Sequence, residues 1–244
     1  MIHRENLRKN NCLFIILISC IFFNLCTPST NNSVETGTDT NQNGLYFRIL
    51  SNGTYMVEGI DSGCIDNLVI PSTINGKSVT IIAKYGFQNW DIKSVSIPNS
   101  ITMIGDFAFQ NCKLLSSVEI PSSVVTVGTN AFNDCSKLNN VKLNDGLKTI
   151  GKAAFYNCGN IEVLEIPKTV EIIKEYGLYT QINNVYVPKN VIEIGKMTFL
   201  SKGWNGSNNI YCEISEKPLT WDDVFAADCY GKAFLDSVVW GYSK

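Results

Sequence analysis

The sequence predicts a solenoid, a stack of short parallel-stranded coils of about 23 residues closed by a cap at each end. Three observations predict it. Pro71, Pro98, Pro121, Pro167 and Pro188 recur along the chain, with Asn144 in the empty place between Pro121 and Pro167, at steps of 27, 23, 23, 23 and 21 residues. An apolar-x-apolar triplet precedes each of these positions. A large apolar residue follows eleven later, at Phe109, Phe132, Phe155, Leu178 and Phe199, whereas the first unit takes sixteen to reach Phe87 because Asn75-Gly76-Lys77 inserts a turn. A unit of this size buries its apolar face only by stacking on its neighbours.

Each element of the coil has a local cause. The triplets Leu68-Val69-Ile70, Val95-Ser96-Ile97, Val118-Glu119-Ile120, Val141-Lys142-Leu143, Leu164-Glu165-Ile166 and Val185-Tyr186-Val187 alternate with period two, which predicts a short strand. Proline ends the strand because it has no N–H to donate to a further ladder bond. A second apolar pair, such as Ile101 and Ile104 or Val124 and Val127, predicts a second extended piece. Gly105, Gly128, Gly151 and Gly195 follow it and are expected to supply a backbone turn. Ala108-Phe109, Ala131-Phe132 and Ala154-Phe155 are then expected to form a brief helical or 3₁₀ turn, with Phe entering the core. Unit five departs from this pattern: Lys174 replaces the glycine, Gly177-Leu178 replaces Ala-Phe, and two residues are lost before Val185, so a thinner core and a bend are expected there.

Overlaid, the units read approximately L-x-x-V-x-I-P-x-x-V-x-x-I-G-x-x-A-F-x-x-C, as in SVEIPSSVVTVGTNAFNDCSKL at 117–138. This pattern resembles the BspA-like, treponemal-type leucine-rich repeat. The resemblance covers residues 65–212 in six units, and implies a leucine-rich repeat solenoid of short parallel β-strands, extended pieces and short helical or 3₁₀ turns. GLYFRILSNGTYMVEGI at 44–60 resembles that family's N-terminal cap, and IYCEISEKPLTW at 210–221 with VVWGY at 238–242 resembles its C-terminal ending. The domain reading is therefore an N-terminal cap at 45–64, the solenoid at 65–212 and a C-terminal cap at 213–244.

The first 26 residues have a different character. Arg4, Arg8 and Lys9 precede the apolar run from Cys12 to Leu25, the arrangement of an export signal. The run is short for a membrane span. Leu17-Ile18-Ser19-Cys20 resembles a bacterial lipobox, which makes Cys20 a candidate for lipidation. Cys26, at the end of the apolar run, is a second candidate. Residues 27–44 contain one aliphatic residue, Val34, among Ser, Thr, Asn, Gly and a few acids, and read as a disordered tether.

Composition narrows the chemistry. Twenty basic against 22 acidic side chains give a net charge of −2, so no basic excess drives nucleic-acid binding. The single histidine, His3, lies in the export segment, which leaves a mature domain without imidazole for general-base or zinc chemistry. Cys112, Cys135 and Cys158 recur at 23-residue steps, and stacked coils set such residues in a line rather than around a metal. Trp90 holds the same place in the first unit, which predicts an apolar slot filled by small buried thiols. Cys212 and Cys229, after the last full repeat, form the candidate disulfide. Asp222 and Asp223 are adjacent on the chain, a poor arrangement for paired-carboxylate catalysis. No cofactor, metal or catalytic site is expected.

The outward face of the strands remains. Its middle column reads Val69, Ser96, Glu119, Lys142, Glu165, Tyr186 and Tyr211, and its neighbour reads Asn67, Ser94, Ser117, Asn140, Val163, Asn184 and Asn209. Glu119, Lys142 and Glu165 are placed to form a salt ladder, whereas Tyr186 and Tyr211 are consecutive in the column, and exposed tyrosine is enriched where proteins bind proteins or sugars. The candidate ligand-binding residues are Ser96, Glu119, Lys142, Glu165, Tyr186 and Tyr211. The residues read as a non-enzymatic, monomeric surface protein, held to a membrane only through its N-terminal anchor, and the resemblance implies that it takes part in adhesion or in host or matrix protein interaction. The other reading is a glycan-binding or envelope-structural module, so the expected partner is an extracellular protein or glycan.

Overall fold

The computed structural model describes residues 38–40, 44–60, 66–200, 209–227 and 238–243. The export segment, Cys20, Cys26, Cys64 and Cys229 lie outside these residues. The chain winds through successive coils, each with one strand in a front sheet and one in a back sheet. The triplets form the front strands. Asn67–Val69, Ser94–Ser96, Ser117–Ile120 and Asn140–Leu143 make one four-stranded parallel sheet, and Ile161–Glu165, Ile182–Val187, Asn209–Cys212 and Val238–Trp240 make a second. The front ladder thus continues past residue 212 to Trp240.

The second extended pieces form the back sheet. Met103–Ile104, Thr126–Val127, Thr149–Ile150, Ile172–Ile173 and Glu193–Ile194 pair in parallel, and each contributes one fully buried aliphatic to a single column. At the N-terminal end this sheet continues into Lys77–Ile82 and then into the antiparallel hairpin Leu45–Ile49 and Tyr55–Ile60. Thr38–Thr40, within the segment read as a tether, adds to the hairpin as a further antiparallel strand. The edge of Leu45–Ile49 offers the ladder bonds that this short strand takes.

Between back and front strands the core is a file of stacked rings. Phe87, Phe109, Phe132 and Phe155 are fully buried and lie 5.3, 5.2 and 5.1 Å apart by centroid, nearly parallel. This is close to the spacing of adjacent strands, so the coil repeat itself sets the ring contact. Leu178 takes the place of Phe in unit five and is fully buried with Val170 and Ile173. The front sheet is interrupted at the entry to that unit, between Asn140–Leu143 and Ile161–Glu165.

The turns that carry the phenylalanines are not helical, and the described residues contain no helix. The reason lies in where successive N–H groups go. Ala108, Gln110 and Cys112 donate back to Gly105, Phe107 and Phe109, whereas Phe107, Phe109 and Asn111 donate across to Thr129, Ala131 and Asn133 of the next coil. Left-handed φ values at Phe107 (58°) and Asn111 (60°) produce this alternation. A helix would have directed every N–H back along its own turn.

The repeated glycines have a different cause from the one their sequence position implied. Gly105, Gly128, Gly151 and Gly195 do not adopt a left-handed φ. A Cβ on them would instead meet backbone of the preceding coil, at 2.7, 2.7, 2.6 and 2.4 Å. They allow adjacent coils to approach closely.

Candidate functional site

Within each of the two front sheets the outward column is in register. Val69 faces Ser96, Glu119 faces Lys142, Glu165 faces Tyr186, and Tyr186 faces Tyr211. Lys142 Nζ lies 2.7 Å from Glu119 Oε1, and Asn144 Nδ2 donates to the same oxygen at 2.9 Å. Hydrogen bonding from Lys142, then from Asn144, holds the Glu119 carboxyl below the usual carboxylate range. Similar pairs cross coils elsewhere on the surface, joining Lys93 to Asp66, Lys148 to Glu171, Lys152 to Glu175 and Lys174 to Glu193.

The tyrosine end of the column is built differently. Tyr186 and Tyr211 are half-buried and stack with centroids 4.9 Å apart and planes 15° from parallel. Tyr242 leans on both, at 5.3 and 5.2 Å. It is brought there by the strand Val238–Trp240, which pairs with Asn209–Cys212, and by the bond from its own N–H to the Cys212 carbonyl at 2.9 Å. Sequence reading missed Tyr242 because the chain leaves the 23-residue register before reaching it.

These rings wall one side of a cleft of about 320 Å³, lined also by Asn144, Asp145, Glu165, Pro167, Lys168, Pro188 and Glu213. The cleft sits at the interruption of the front sheet, where the coil lacks its proline. There the chain turns through Asn144-Asp145-Gly146. Asn144 donates backwards to the Ile120 carbonyl as well as to Glu119, and Gly146 takes φ 123° with its Cα so close to the previous coil that a Cβ would lie 1.8 Å from the Ser122 carbonyl oxygen. A second cleft, of about 420 Å³, lies along the same edge, is lined by Ser96, Asn99, Glu119 and Ser122, and shares Asn144 with the first. The structure therefore places all of the sequence-predicted face residues except Lys142 on these two clefts.

The thiol column is inward. Cys112, Cys135 and Cys158 donate to the carbonyls of Phe87, Phe109 and Phe132 at 3.0, 3.1 and 3.3 Å. The slot is thus a hydrogen-bonding one as well as an apolar one. Burial pushes the Cys112 thiol up to about 12, and raises Cys135 and Cys158 as well. Cys212 occupies the buried front column opposite Val187 and Trp240, and burial pushes its thiol up to about 12. Its candidate partner, Cys229, is outside the described residues. Asp222 and Asp223 separate: Asp222 caps the Val224 N–H at 2.8 Å, and Asp223 pairs with Lys217 at 2.9 Å. A further tyrosine cluster, Tyr156, Tyr176 and Tyr179, lies on the turns between back and front strands and had no repeat signal to announce it.

The BspA-type leucine-rich repeat region matches residues 58–181 and 102–208, with six copies. The chain belongs to this family. Its fold is similar to a leucine-rich repeat protein of Bacteroides ovatus, at 21% identity and a TM-score of 0.50, over 79% of this chain and 69% of that one. It is also similar to the T. pallidum leucine-rich repeat protein, at 20% identity and a TM-score of 0.56, over 77% and 92%. A third likeness, at 22% identity and a TM-score of 0.54, is to a leucine-rich cell surface protein of Faecalibacterium prausnitzii, over 78% of this chain and 57% of that one. No curated protein sequence matches the chain. At these identities the structural likeness concerns the fold. Leucine-rich repeat solenoids are typically binding scaffolds, in which a rigid array of coils presents a continuous surface.

Proposed function

We propose that this BspA-type leucine-rich repeat chain is an exported, non-catalytic binding protein of the cell surface, which engages an extracellular protein through the outward face of its front sheet, in adhesion or in host or matrix contact. The observation that carries this reading is the cluster of Tyr186, Tyr211 and Tyr242 against a cleft. Rigid aromatic rings beside a concavity are the common form of an interface anchor, because they contribute large contact area and lose little side-chain entropy. Ser96, Glu119 and Glu165 extend the surface along the same edge. Export is supported by the basic segment and apolar run of residues 4–25, with Cys20 or Cys26 as the anchor. The description of the F. prausnitzii relative as a cell surface protein agrees with it.

The test is adhesion of cells displaying the full chain to surfaces coated with matrix proteins, with and without the pair Tyr186→Ala and Tyr211→Ala. Loss of adhesion at an unchanged melting temperature supports the reading. Retained adhesion sinks this face as the binding surface. A glycan array run in parallel identifies the sugar-binding alternative if the tyrosine-dependent ligands are saccharides.

A further inference from the structure

We infer that Tyr211 and Tyr242 are a modification site, at which a peroxide-driven one-electron oxidant, a haem peroxidase with hydrogen peroxide, joins the two rings in a dityrosine bridge. This goes beyond the binding reading and does not rest on it. Proximity is the first reason. The two rings lie 5.2 Å apart by centroid, within direct contact. The backbone fixes that approach, because Val238–Trp240 pairs with Asn209–Cys212 and the Tyr242 N–H donates to the Cys212 carbonyl at 2.9 Å.

Orientation selects this pair over the others. A biaryl bond joins two rings at their edges and leaves them twisted about the bond, so rings lying flat on each other must come apart before they couple. Tyr186 and Tyr211 lie flat, with planes 15° apart, as do Tyr156 and Tyr179 on the turns, at 13°. Tyr211 and Tyr242 are tilted by 54°. Tyr242 is tilted from Tyr186 as well, but Tyr186 belongs to a strand that does not pair with Val238–Trp240. Tyr176 meets Tyr156 and Tyr179 edge-on at the longer distances of 6.1 and 5.7 Å.

Access is the third reason. Tyr211 and Tyr242 are half-buried and both line the open cleft, so electrons and protons can leave them on the solvent side. The competing reductants are turned inward. Cys112, Cys135 and Cys212 are buried and Cys158 is half-buried, and burial raises all four thiols, which keeps them from the readily oxidised thiolate form.

The step balances with the named oxidant alone. Each phenol gives up one electron and one proton, and the two electrons and two protons reduce one hydrogen peroxide to two waters at the haem. The phenoxyl radicals then join through ring carbons ortho to oxygen, forming one C–C bond. The hydrogens on those carbons move to the oxygens, which restores both phenols and leaves the chain lighter by two hydrogen atoms. The bridge ties Val238–Trp240, the last strand of its sheet among the described residues, to the strand beside it. Like any cross-link between distant residues, it closes a loop in the unfolded chain and so restricts that ensemble.

The experiment treats the full chain at high dilution with a haem peroxidase and hydrogen peroxide, until free N-acetyltyrosine in a parallel sample has coupled. The expected product is a monomer lighter by two hydrogen atoms that shows dityrosine fluorescence. After trypsin, the peptide containing Tyr211 should remain linked to the peptide that begins at Ala233 and contains Tyr242. Tyr211→Phe and Tyr242→Phe should each reduce the fluorescence to background, whereas Tyr186→Phe should retain it. Phenylalanine keeps the ring but gives no phenoxyl radical, and unchanged melting curves of the unoxidised variants separate loss of the bridge from loss of the fold. Absence of a bridged monomer, coupling only between chains, or a bridge that survives Tyr242→Phe or depends on Tyr186 overturns the inference. Neither readout uses a ligand, so the bridge can fail while the front face still binds, and adhesion can fail while the bridge still forms.

Discussion

Tyr186 lies nearly flat on Tyr211, with ring centroids 4.9 Å apart, although 25 residues separate them in the chain. The parallel pairing of Ile182–Val187 with Asn209–Cys212 puts the two in register, and the pleat turns both outward. A double-mutant cycle on this pair should give a coupling of about 0.5–1.5 kcal/mol in chemical denaturation, the usual range for a stacked aromatic pair. Additive single variants would show that the rings are held by their strands and contribute nothing to each other.

Tyr242 closes the cluster from outside the repeat register. Tyr242→Ala should reduce adhesion about as much as Tyr186→Ala while costing about 1 kcal/mol of stability, since the side chain is half-buried against the two other rings. Full adhesion by this variant would remove Tyr242 from the site and leave the pair alone.

Cys135 fills its slot with a donor, since its thiol lies 3.1 Å from the Phe109 carbonyl oxygen. Cys135→Val, apolar and of similar size, should therefore cost about 1 kcal/mol by urea denaturation. A neutral or stabilising result would make the slot purely apolar. The buried thiols also predict a pH dependence. Burial raises the Cys112 thiol from 9.0 to about 12, so the folded-state value lies above the unfolded one. Its contribution is present in full below the unfolded value and is lost as pH rises from there through the folded one, so the urea midpoint should fall between about pH 9.0 and about pH 12, and fall less in Cys112→Ala.

Gly128 stands where a Cβ would come within 2.7 Å of backbone atoms of Gly105 and Asp106. Gly128→Ala should destabilise by about 2–4 kcal/mol, because overpacking against backbone has no side chain to move aside. Gly53, whose Cβ would meet nothing within 4 Å, is the control without such a neighbour, and Gly53→Ala should cost only the roughly 1 kcal/mol of placing alanine at its left-handed φ of 80°. Equal effects at both positions would overturn the close-approach account.

Glu119 owes its lowered carboxyl first to the hydrogen bond from Lys142. In Lys142→Met its titration, followed by NMR, should move up towards the ordinary carboxylate range. Because the folded value lies below the unfolded one, the pair's contribution is present above the unfolded value and disappears as pH falls through the folded one. As both side chains are more than half exposed, the midpoint of thermal unfolding should change little at neutral pH.

Much of this was legible in the repeat. Spacing alone located the front strands, because period-two triplets followed by proline leave few other ways to bury their apolar residues. The same spacing set the outward column that puts Glu119 beside Lys142 and Tyr186 beside Tyr211. Two local causes were misread. The Ala-Phe turns looked helical because small and aromatic residues sit together, yet alternate amides are claimed by the next coil. The glycines looked like turn residues, yet it is the distance between coils that demands them.

By itself, then, the sequence determined the path of the coil and which residues share a column, since both follow from a fixed period. The tertiary structure alone decided where that array becomes a site. The break in the front sheet at Asn144-Asp145-Gly146 opens the cleft, and the strand Val238–Trp240 carries Tyr242 back onto Tyr186 and Tyr211. Neither can be read from a period, because a break is where the period fails and Tyr242 arrives by a strand pairing across a long stretch of chain.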